Sequence, residues 1–242
     1  MKVALLLYGQ PRFVERLIVS QSHKNDIINK YDTDVFVHVW SNPSNSEYSS
    51  SPLGTYIPDK NAVKILMDEY LPKSISVEES KPFTFKEHVK QFMDARYTDR
   101  HPEGYIWSNR FYNNILSQMC SIQKVSKLLQ DHIELTKTKY DFIVLARMDA
   151  VLVNFPNLNA LDNNLFYLPI THQSFPDTIF IFGEKHLEWA ANLYTDIDRI
   201  YTTVVRHVLG PSAEGFKCMT FLNRHPMSDV RPLYMDAEAL RK

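Results

Sequence analysis

Two opposite charges end an apolar stretch in the middle of the chain. Residues Tyr140–Asn154 have the sequence YDFIVLARMDAVLVN, in which an apolar run passes directly into Arg147 and Asp149. The run predicts a strand that is covered on both faces. Its end could bind a charged ligand, because Asp149 could hold a hard cation such as Mg²⁺ or Mn²⁺, which often shares its ligands with phosphates. We therefore expect a functional site at this strand end.

A second group of polar residues follows the first apolar run, Lys2–Tyr8. It contains Gly9, Gln10 and Arg12, and Pro11 is predicted to begin a helix whose free N–H groups and positive dipole end face an anion. Gly9 allows close approach of the backbone, and Arg12 could bind two phosphate oxygens. An ordinary strand-to-helix turn with a surface arginine is the alternative.

Aromatic residues end the first two predicted strands. Tyr8 ends the first, and His38 and Trp40 end the second, which is predicted over Asp34–Trp40. A ring such as that of Tyr8 or Trp40 could stack on a nucleobase, and core packing is the alternative. We include all three residues in the candidate site.

The order of elements around these residues predicts the fold. Strand, helix and strand within the first 40 residues form a βαβ unit, and strands alternate with helices along the rest of the chain. This order predicts an α/β fold, a Rossmann-type three-layer α/β/α sandwich with a mostly parallel central sheet, in a single domain over residues 1–242. Ligands bind outside the carboxyl ends of the strands of such sheets, so the three groups should converge.

The longest predicted helix, from about Ser108 to His132, has polar residues at two kinds of position. Gln118 falls within the apolar stripe, so its amide needs a partner, either in the core or in a ligand pocket. A separate polar stripe could also face a ligand, and a solvated helix face is the alternative. This stripe consists of Arg110, Asn114, Ser117 and Ser121.

Other segments carry expectations that bear on the site. We expect a helix from Phe13 to Tyr31, an irregular loop from Ser41 to Pro58, and a further helix from Phe85 to Arg96. A short helix is also predicted from Ala62 to Tyr70, and Pro72 stops it. The sequence Asp32-Thr33-Asp34 is a DxD motif, but it precedes a strand and so belongs at the end of the sheet away from the predicted site. We interpret it as structural.

Composition excludes several classes of protein. With 27 basic and 28 acidic residues the net charge is -1, so binding to nucleic acid is not expected. No apolar run reaches the ~20 residues that span a bilayer. Two cysteines, Cys120 and Cys218, lie in apolar helical patterns, which favours reduced core thiols and a cytoplasmic protein.

Several familiar site motifs are missing from the sequence. Its six glycines form neither GxGxxG nor a Walker A sequence, and it has no GxSxG. The nine histidines are scattered and there is no HExxH or CxxC, so a zinc site is not expected.

Four segments, in this order along the chain, resemble a group of GT-A-like glycosyltransferases encoded by large algal viruses, phages and capsule-building bacteria. They are LLYGQPRFVE, YDTDVFVHVW, NILSQMCSIQKV, and YDFIVLARMDAVL followed by DTIFIFGE. The resemblance covers roughly residues 1–205. It implies a GT-A-like fold that binds a nucleotide-diphospho-sugar donor across the first half of the sheet and transfers the sugar to a hydroxyl of a glycan acceptor.

The resemblance also assigns roles to residues. The Tyr8–Arg12 turn and the His38–Trp40 strand end would form the nucleotide pocket. Arg147-Met148-Asp149 takes the place of the DxD motif of GT-A enzymes, with an arginine where the first carboxylate stands. Asp149 would thus be a single ligand for a divalent cation, Mn or Mg. Arg147 could neutralise the diphosphate itself, so the cation could be dispensable.

An inverting transfer also needs a carboxylate that accepts the proton of the acceptor hydroxyl. The first candidate for this catalytic base is Asp177, and the second is Glu214. Retaining chemistry is left open. Two other functions are also left open: a non-catalytic protein that binds nucleotide sugars or glycans on the same fold, and another nucleotide-sugar enzyme such as a hydrolase or nucleotidyltransferase.

Overall fold

The computed structural model describes residues 1–41, 48–49, 55–56, 59–87, 89, 91, 109–170, 175, 178–207 and 213–239. The strands are β1 (Lys2–Gly9), β2 (Asp32–Trp40), β3 (Tyr48–Ser49), β4 (Thr55–Tyr56), β5 (Ser74–Glu78), β6 (Phe142–Arg147), β7 (Ala150–Val153), β8 (Phe166–Pro169), β9 (Ile179–Phe182), β10 (Val230–Leu233) and β11 (Asp236–Ala239). The α-helices are α1 (Ile18–His23), α2 (Ala62–Tyr70), α3 (Asn109–Thr136), α4 (Leu187–His207) and α5 (Ala213–Leu222).

A seven-stranded sheet forms the centre of the fold, in the order β10-β8-β9-β6-β1-β2-β5. Strand β9 runs antiparallel to both of its neighbours, and the other neighbouring strands pair in parallel. The prediction of a mostly parallel central sheet is therefore confirmed. We call the edge where the parallel strands end the carboxyl edge, and the edge where they begin the amino edge.

Helices cover both faces of the sheet, because alternate residues of its buried strands point to opposite sides. One core cluster contains side chains of β1 and β2 together with apolar residues of α3, α4 and α5. The other contains the alternate strand residues together with residues of α2 and β7. In β1, the first face carries Ala4, Leu6 and Tyr8, and the second carries Val3, Leu5 and Leu7. These two cores confirm the three-layer arrangement.

The DxD sequence lies at the amino edge, as predicted. Nζ of Lys2 lies 2.9 Å from Oδ1 of Asp32 and 2.8 Å from Oδ2 of Asp34. The hydroxyl of Tyr140 donates to Oδ2 of Asp34 at 2.7 Å. Burial alone would raise the pKa of Asp34, but Lys2 and Tyr140 hold this pKa below its usual value. The motif therefore fastens the start of β2 to the starts of β1 and β6.

The chain after β1 differs from the predicted helix over Phe13–Tyr31. Phe13 and Leu17 both have left-handed backbone conformations, with φ of 56° and 55°. Between them lies a single 3-10 turn, and α1 begins only at Ile18. A π-helical turn, Lys24–Ile28, follows α1. Left-handed residues cannot continue a right-handed helix, so the segment is a series of short turns.

Other expectations have mixed outcomes. Helix α2 spans the predicted residues, and Cys120 and Cys218 are free and buried, as expected for reduced thiols. The predicted irregular loop contains a two-stranded ladder of β3 and β4, while its other residues from 42 onward, and most of the helix predicted from Phe85 to Arg96, lie outside the described residues. No described helix combines the length and apolar character that crossing a bilayer requires.

Candidate functional site

The three groups of predicted site residues meet at the carboxyl edge, because β6, β1 and β2 are neighbours in the sheet and run parallel. The register places Tyr8 opposite His38 on one side and opposite Arg147 on the other. Gly9 follows directly and lies opposite Val39. The topology therefore brings together residues that are more than a hundred positions apart in the chain.

The turn after β1 is shaped by Gly9. Its φ of +113° lies where side chains are strained, and no described atom lies within 4 Å of the position that a Cβ would take. Its N–H donates to Oγ of Ser121 in α3 at 3.0 Å. Gln10 accepts hydrogen bonds from the guanidinium of Arg12, including one from Nε at 2.9 Å. The backbone of the turn is thus fixed from α3 and has open space beside it.

The helix-terminus site expected at Pro11 is not formed. Pro11 does not begin an α-helix: a single 3-10 turn, Val14–Arg16, follows it and α1 begins only at Ile18, so the expected dipole of a long helix is missing there. The guanidinium of Arg12 is the feature of this turn that can still attract an anion. The prediction that Pro11 begins a helix is therefore wrong, and the physical reason is the left-handed conformation of Phe13. Binding of an anion at this turn remains a prediction.

Arg12, Arg147 and Asp149 form what we call the arginine–aspartate cluster. Arg147 donates from Nε to Oδ1 of Asp149 at 2.9 Å and from Nη2 to Oδ2 at 2.7 Å. Nη1 of Arg12 lies 3.6 Å from the same Oδ2. Asp149 is 4% exposed, and the arginine side chains are about one-fifth exposed. Two guanidiniums therefore approach one buried carboxylate next to the turn after β1.

Backbone hydrogen bonds hold the turn that carries this cluster. The N–H of Met148 donates to the carbonyl of Tyr8 at 3.0 Å, and the N–H of Arg147 donates to the carbonyl of Thr178 at 2.9 Å. The chain then continues into β7, which leaves the central sheet and pairs with β11. The charged pair is therefore placed by the ends of β1 and β6 and the residue before β9.

A series of interacting polar side chains connects the turn after β1 to the end of β2. Oγ of Ser121, which accepts the Gly9 N–H, lies 2.6 Å from Nδ1 of His38. Nε2 of His38 lies 3.4 Å from Oε1 of Glu78, and Lys124 pairs with the same carboxylate. Since Ser121 accepts from Gly9, its own hydrogen is available for Nδ1. This arrangement favours the His38 tautomer that carries its proton on Nε2, next to Glu78.

Burial controls the ionisation of His38. The ring is fully buried, and this burial lowers the pKa of His38 to about 4, although the nearby Glu78 carboxylate favours the charged form. The pKa of Glu78 is held below its usual value by Lys124 and His38, against the effect of burial. At neutral pH the carboxylate is therefore ionised and the imidazole is neutral.

The two aromatic candidates lie inside the core. Tyr8 is 1% exposed and Trp40 is 3% exposed. Nε1 of Trp40 donates to the carbonyl of Ser117 at 3.2 Å, and the ring meets His38 and Phe83 edge-on. Core packing thus accounts for both rings, and nucleobase stacking on either of them remains a prediction.

The remaining candidates are more dispersed. Gln118 is half-buried on α3, so it is not the fully buried amide that its place in the apolar stripe predicted. Glu214 lies in the first turn of α5 and is partly buried. This end of α5 faces the carboxyl edge, since Nζ of Lys217 lies 5.5 Å from the ring of Phe180, the second residue of β9. Asp177 lies outside the described residues.

Sequence patterns missed several polar residues of this edge. Ser121 was assigned with the polar stripe of α3, for which a solvated face was the alternative, but it is fully buried against Gly9 and His38. Glu78 and Lys124 form an ion pair next to His38, at the other end of the same series of polar side chains. Lys217 is a fully buried lysine within the apolar run GFKCMTFL, and this position in the sequence was a signal that could have identified it.

The carboxyl edge does not gather a set of metal ligands among the described residues. The described group of three His, Cys, Asp or Glu side chains close enough to hold an ion is His186, His225 and Asp229. These residues lie at the amino edge, away from Asp149. Asp149 is paired with two arginines, and in the part of the chain that the structure describes it belongs to no group of three potential metal ligands.

Comparison with known proteins supports the fold. No protein family matches the sequence, and no curated protein sequence matches it. Among solved structures, the fold is similar to that of core-mannan synthase A from Aspergillus fumigatus in its Mn/GDP form, with a TM-score of 0.53 and 9% sequence identity over 99% of this chain and 74% of that one. This similarity concerns the fold alone, and it confirms the expected GT-A-like α/β fold with a mostly parallel central sheet.

Proposed function

We propose that the protein is a glycosyltransferase that moves a sugar from a nucleotide-diphospho-sugar donor to a hydroxyl of a glycan acceptor. The observation that carries this proposal is the pair of guanidiniums of Arg12 and Arg147, oriented by Asp149 at the carboxyl edge of a GT-A-like fold. A diphosphate is the anion that two such groups bind well, since each guanidinium can donate to two phosphate oxygens.

The donor lies across the turn after β1 and the ends of β2 and β6. The open space beside Gly9 admits the diphosphate, and Gln10 keeps the guanidinium of Arg12 in place. His38 and Trp40 are buried, uncharged side chains that pack beneath the surface on which the donor lies. The similar structure of core-mannan synthase A is a Mn/GDP form, which supports a nucleotide as a ligand of this fold.

The chemistry follows from the charge that develops in the reaction. The acceptor oxygen forms a bond to the anomeric carbon, the bond from that carbon to the diphosphate breaks, and the nucleoside diphosphate leaves with the electron pair. Negative charge grows on the diphosphate as the bond breaks. Arg12 and Arg147 stabilise it, and groups placed in this way contribute about 3–4 kcal/mol each in other enzymes.

A divalent cation would have Asp149 as its protein ligand in this proposal. A cation that shares a diphosphate commonly uses one or two carboxylates, so a single aspartate fits that pattern. Both oxygens of Asp149 accept hydrogen bonds from Arg147, however, and a cation that binds this carboxylate would have to displace these hydrogen bonds. When bound, Mn or Mg would supply further positive charge against the diphosphate. We therefore propose the arginines as the principal diphosphate ligands, with the cation as an addition.

Transfer with inversion requires a base for the proton of the acceptor hydroxyl. We propose Asp177 for this role, with Glu214 as the second candidate. Glu214 lies in the first turn of α5, and Asp177 directly precedes Thr178, whose carbonyl accepts from the N–H of Arg147. Either carboxylate would accept the proton as the acceptor oxygen attacks.

One observation favours a second function. Because the carboxylate of Asp149 is already paired with two arginines, the same site could bind a nucleotide sugar without catalysing transfer. Thermal-shift titrations with a panel of nucleotide sugars, with and without Mn²⁺, test both functions, followed by transfer assays with candidate glycan acceptors. Stabilisation with turnover supports the transferase, and stabilisation without turnover supports the binding protein. Release of free sugar without an acceptor indicates a hydrolase, and no stabilisation by any donor contradicts all three.

A further inference from the structure

Three potential metal ligands lie together at the amino edge of the sheet. His186 ends the 3-10 turn that follows β9, while His225 and Asp229 lie between α5 and β10. Each residue offers one ligand atom, and these atoms lie within 4.8 Å of one another. Histidine spacing alone predicted no zinc site, because the ligands come from two separate segments and one of them is an aspartate.

The separations suit a single small ion. Zinc binds histidine nitrogen and carboxylate oxygen at about 2.0–2.2 Å, which places tetrahedral ligands roughly 3.4 Å apart. The three ligand atoms lie no more than 4.8 Å from one another, and the rings of His186 and His225 have centroids 4.5 Å apart. Small rotations of the three side chains would therefore bring their ligand atoms within bonding distance of one ion.

The two imidazoles have ring nitrogens that the described structure leaves without hydrogen-bond partners. These nitrogens are Nδ1 of His186 and Nε2 of His225, and both atoms are buried. A buried polar atom without a partner costs free energy, and buried polar atoms in folded proteins are nearly always paired. Packing against Phe166 and Phe221 accounts for the carbon edges of these rings but not for their nitrogen lone pairs.

The surroundings of His186 also match those of a metal-bound histidine. The carbonyl of Asn164 lies 3.3 Å from Nε2 of His186, and a ligating imidazole commonly donates its other N–H to such a carbonyl. The position of this carbonyl is tightly constrained, because a Cβ at Gly183 would collide with the backbone of Asn163. The turn after β9 and the segment before β8 are thus packed closely around His186.

We propose that His186, His225 and Asp229 form a site for a divalent transition metal of the zinc type, with water in the fourth position. Two imidazoles and one carboxylate suit Zn²⁺, whereas Mg²⁺ and Ca²⁺ prefer oxygen ligands throughout. Asp229 is partly exposed, which gives the ion a route from solvent. Lys185, whose Nζ lies 3.0 Å from Oδ2 of Asp229, is itself 43% exposed and can turn away.

The role of this site is structural. It joins the turn after β9 to the segment that leads into β10, the strand at the end of the sheet. It lies at the edge opposite to the arginine–aspartate cluster, so the ion would not touch the nucleotide-sugar donor. The proposal therefore stands or falls independently of the proposed transferase activity.

The test measures zinc binding to the full chain, purified without a histidine tag and stripped with a chelator. Equilibrium dialysis followed by elemental analysis should give about one zinc ion per chain, and the melting temperature should rise with Zn²⁺ but not with Mg²⁺. Bound Co²⁺ should show the visible absorption of a four-coordinate ion. Asp229→Asn and His225→Gln should each weaken zinc binding by at least about tenfold.

Matched variants separate this site from other causes. His132→Gln removes a histidine that packs against Phe36 and Tyr140 outside the cluster, and it should bind zinc like the parent chain. Asp149→Asn should also bind zinc normally. Lys185→Ala should bind zinc more tightly, because it removes the cation that competes for Asp229. Absence of bound zinc in the folded parent chain, or unchanged affinity in Asp229→Asn, would overturn the proposal.

Discussion

Arg147 donates two hydrogen bonds to the carboxylate of Asp149, from Nε to Oδ1 at 2.9 Å and from Nη2 to Oδ2 at 2.7 Å. The two residues lie on either side of Met148, at the point where β6 leaves the central sheet. The bidentate pair fixes the plane of the guanidinium, and the same carboxylate attracts Arg12. Asp149 therefore orients positive charge at this edge, whether or not it also binds a cation.

Asp149→Asn should abolish most of the transfer activity while the chain remains folded. The amide cannot neutralise or orient two guanidiniums, so we expect a loss of at least about 100-fold in kcat and a fall of roughly 1–3 kcal/mol in the free energy of unfolding. Transfer assays and urea unfolding measure these two quantities. Asp68→Asn, at an exposed pair with Lys64, should change neither quantity. Activity near that of the parent chain would move the reaction centre away from this cluster.

Ser121→Ala should destabilise the protein more than Ser126→Ala does. Both serines are fully buried on α3, but Ser121 bonds to the Gly9 N–H and contacts His38, whereas the hydroxyl of Ser126 has no partner among the described residues. Removing Ser121 Oγ leaves two buried groups unpaired, at a cost of about 1–3 kcal/mol. Urea unfolding of the two variants compares these costs. Equal losses would mean that the bonds to Ser121 contribute nothing to stability.

The free energy of unfolding should decrease as the pH falls from about 6.5 to about 4, with His38 as one cause. The folded protein holds His38 neutral, while the unfolded chain takes up the proton near the ordinary pKa, so acid favours the unfolded state. The full contribution is on the order of 3 kcal/mol. His23, whose pKa burial also lowers to about 4, acts in the same pH range. His38→Gln should flatten the pH dependence measured by urea unfolding, and an unchanged slope would contradict this assignment.

Much of the fold could be predicted from the sequence, because the buried strands carry strong local signals. The apolar runs of β1, β2 and β6 fixed their positions, and Pro72 marked the end of α2 within two residues. The predicted order of strands and helices along the chain also indicated that Gly9, His38 and Arg147 would meet at the carboxyl edge of the sheet. By contrast, Phe13 and Leu17 are apolar at helical spacing, and nothing local indicates that both adopt left-handed conformations.

The contacts within the site depend on tertiary packing and were less predictable. Whether Ser121 faces solvent or the sheet depends on how α3 rotates over β1, which the polar stripe alone does not determine. Arg147 and Asp149 are close in sequence, so their proximity was expected, but the approach of Arg12 depends on the turns that replace the predicted helix. His186 and Asp229 come together only because β9 and β10 both flank β8.

Asp177→Asn and Glu214→Gln should separate the two candidates for the catalytic base. A base acts on the acceptor proton in the transition state, so its loss should lower kcat by about 10²–10⁴-fold with little change in donor affinity. The variant that loses turnover while its thermal shift with nucleotide sugar stays normal identifies the base. We expect this variant to be Asp177→Asn. Glu214→Gln should keep most of its activity, and because Glu214 is only partly buried its loss should cost little stability. If both variants transfer sugar at the parent rate, neither carboxylate is the base, and a mechanism with retention then becomes the better explanation.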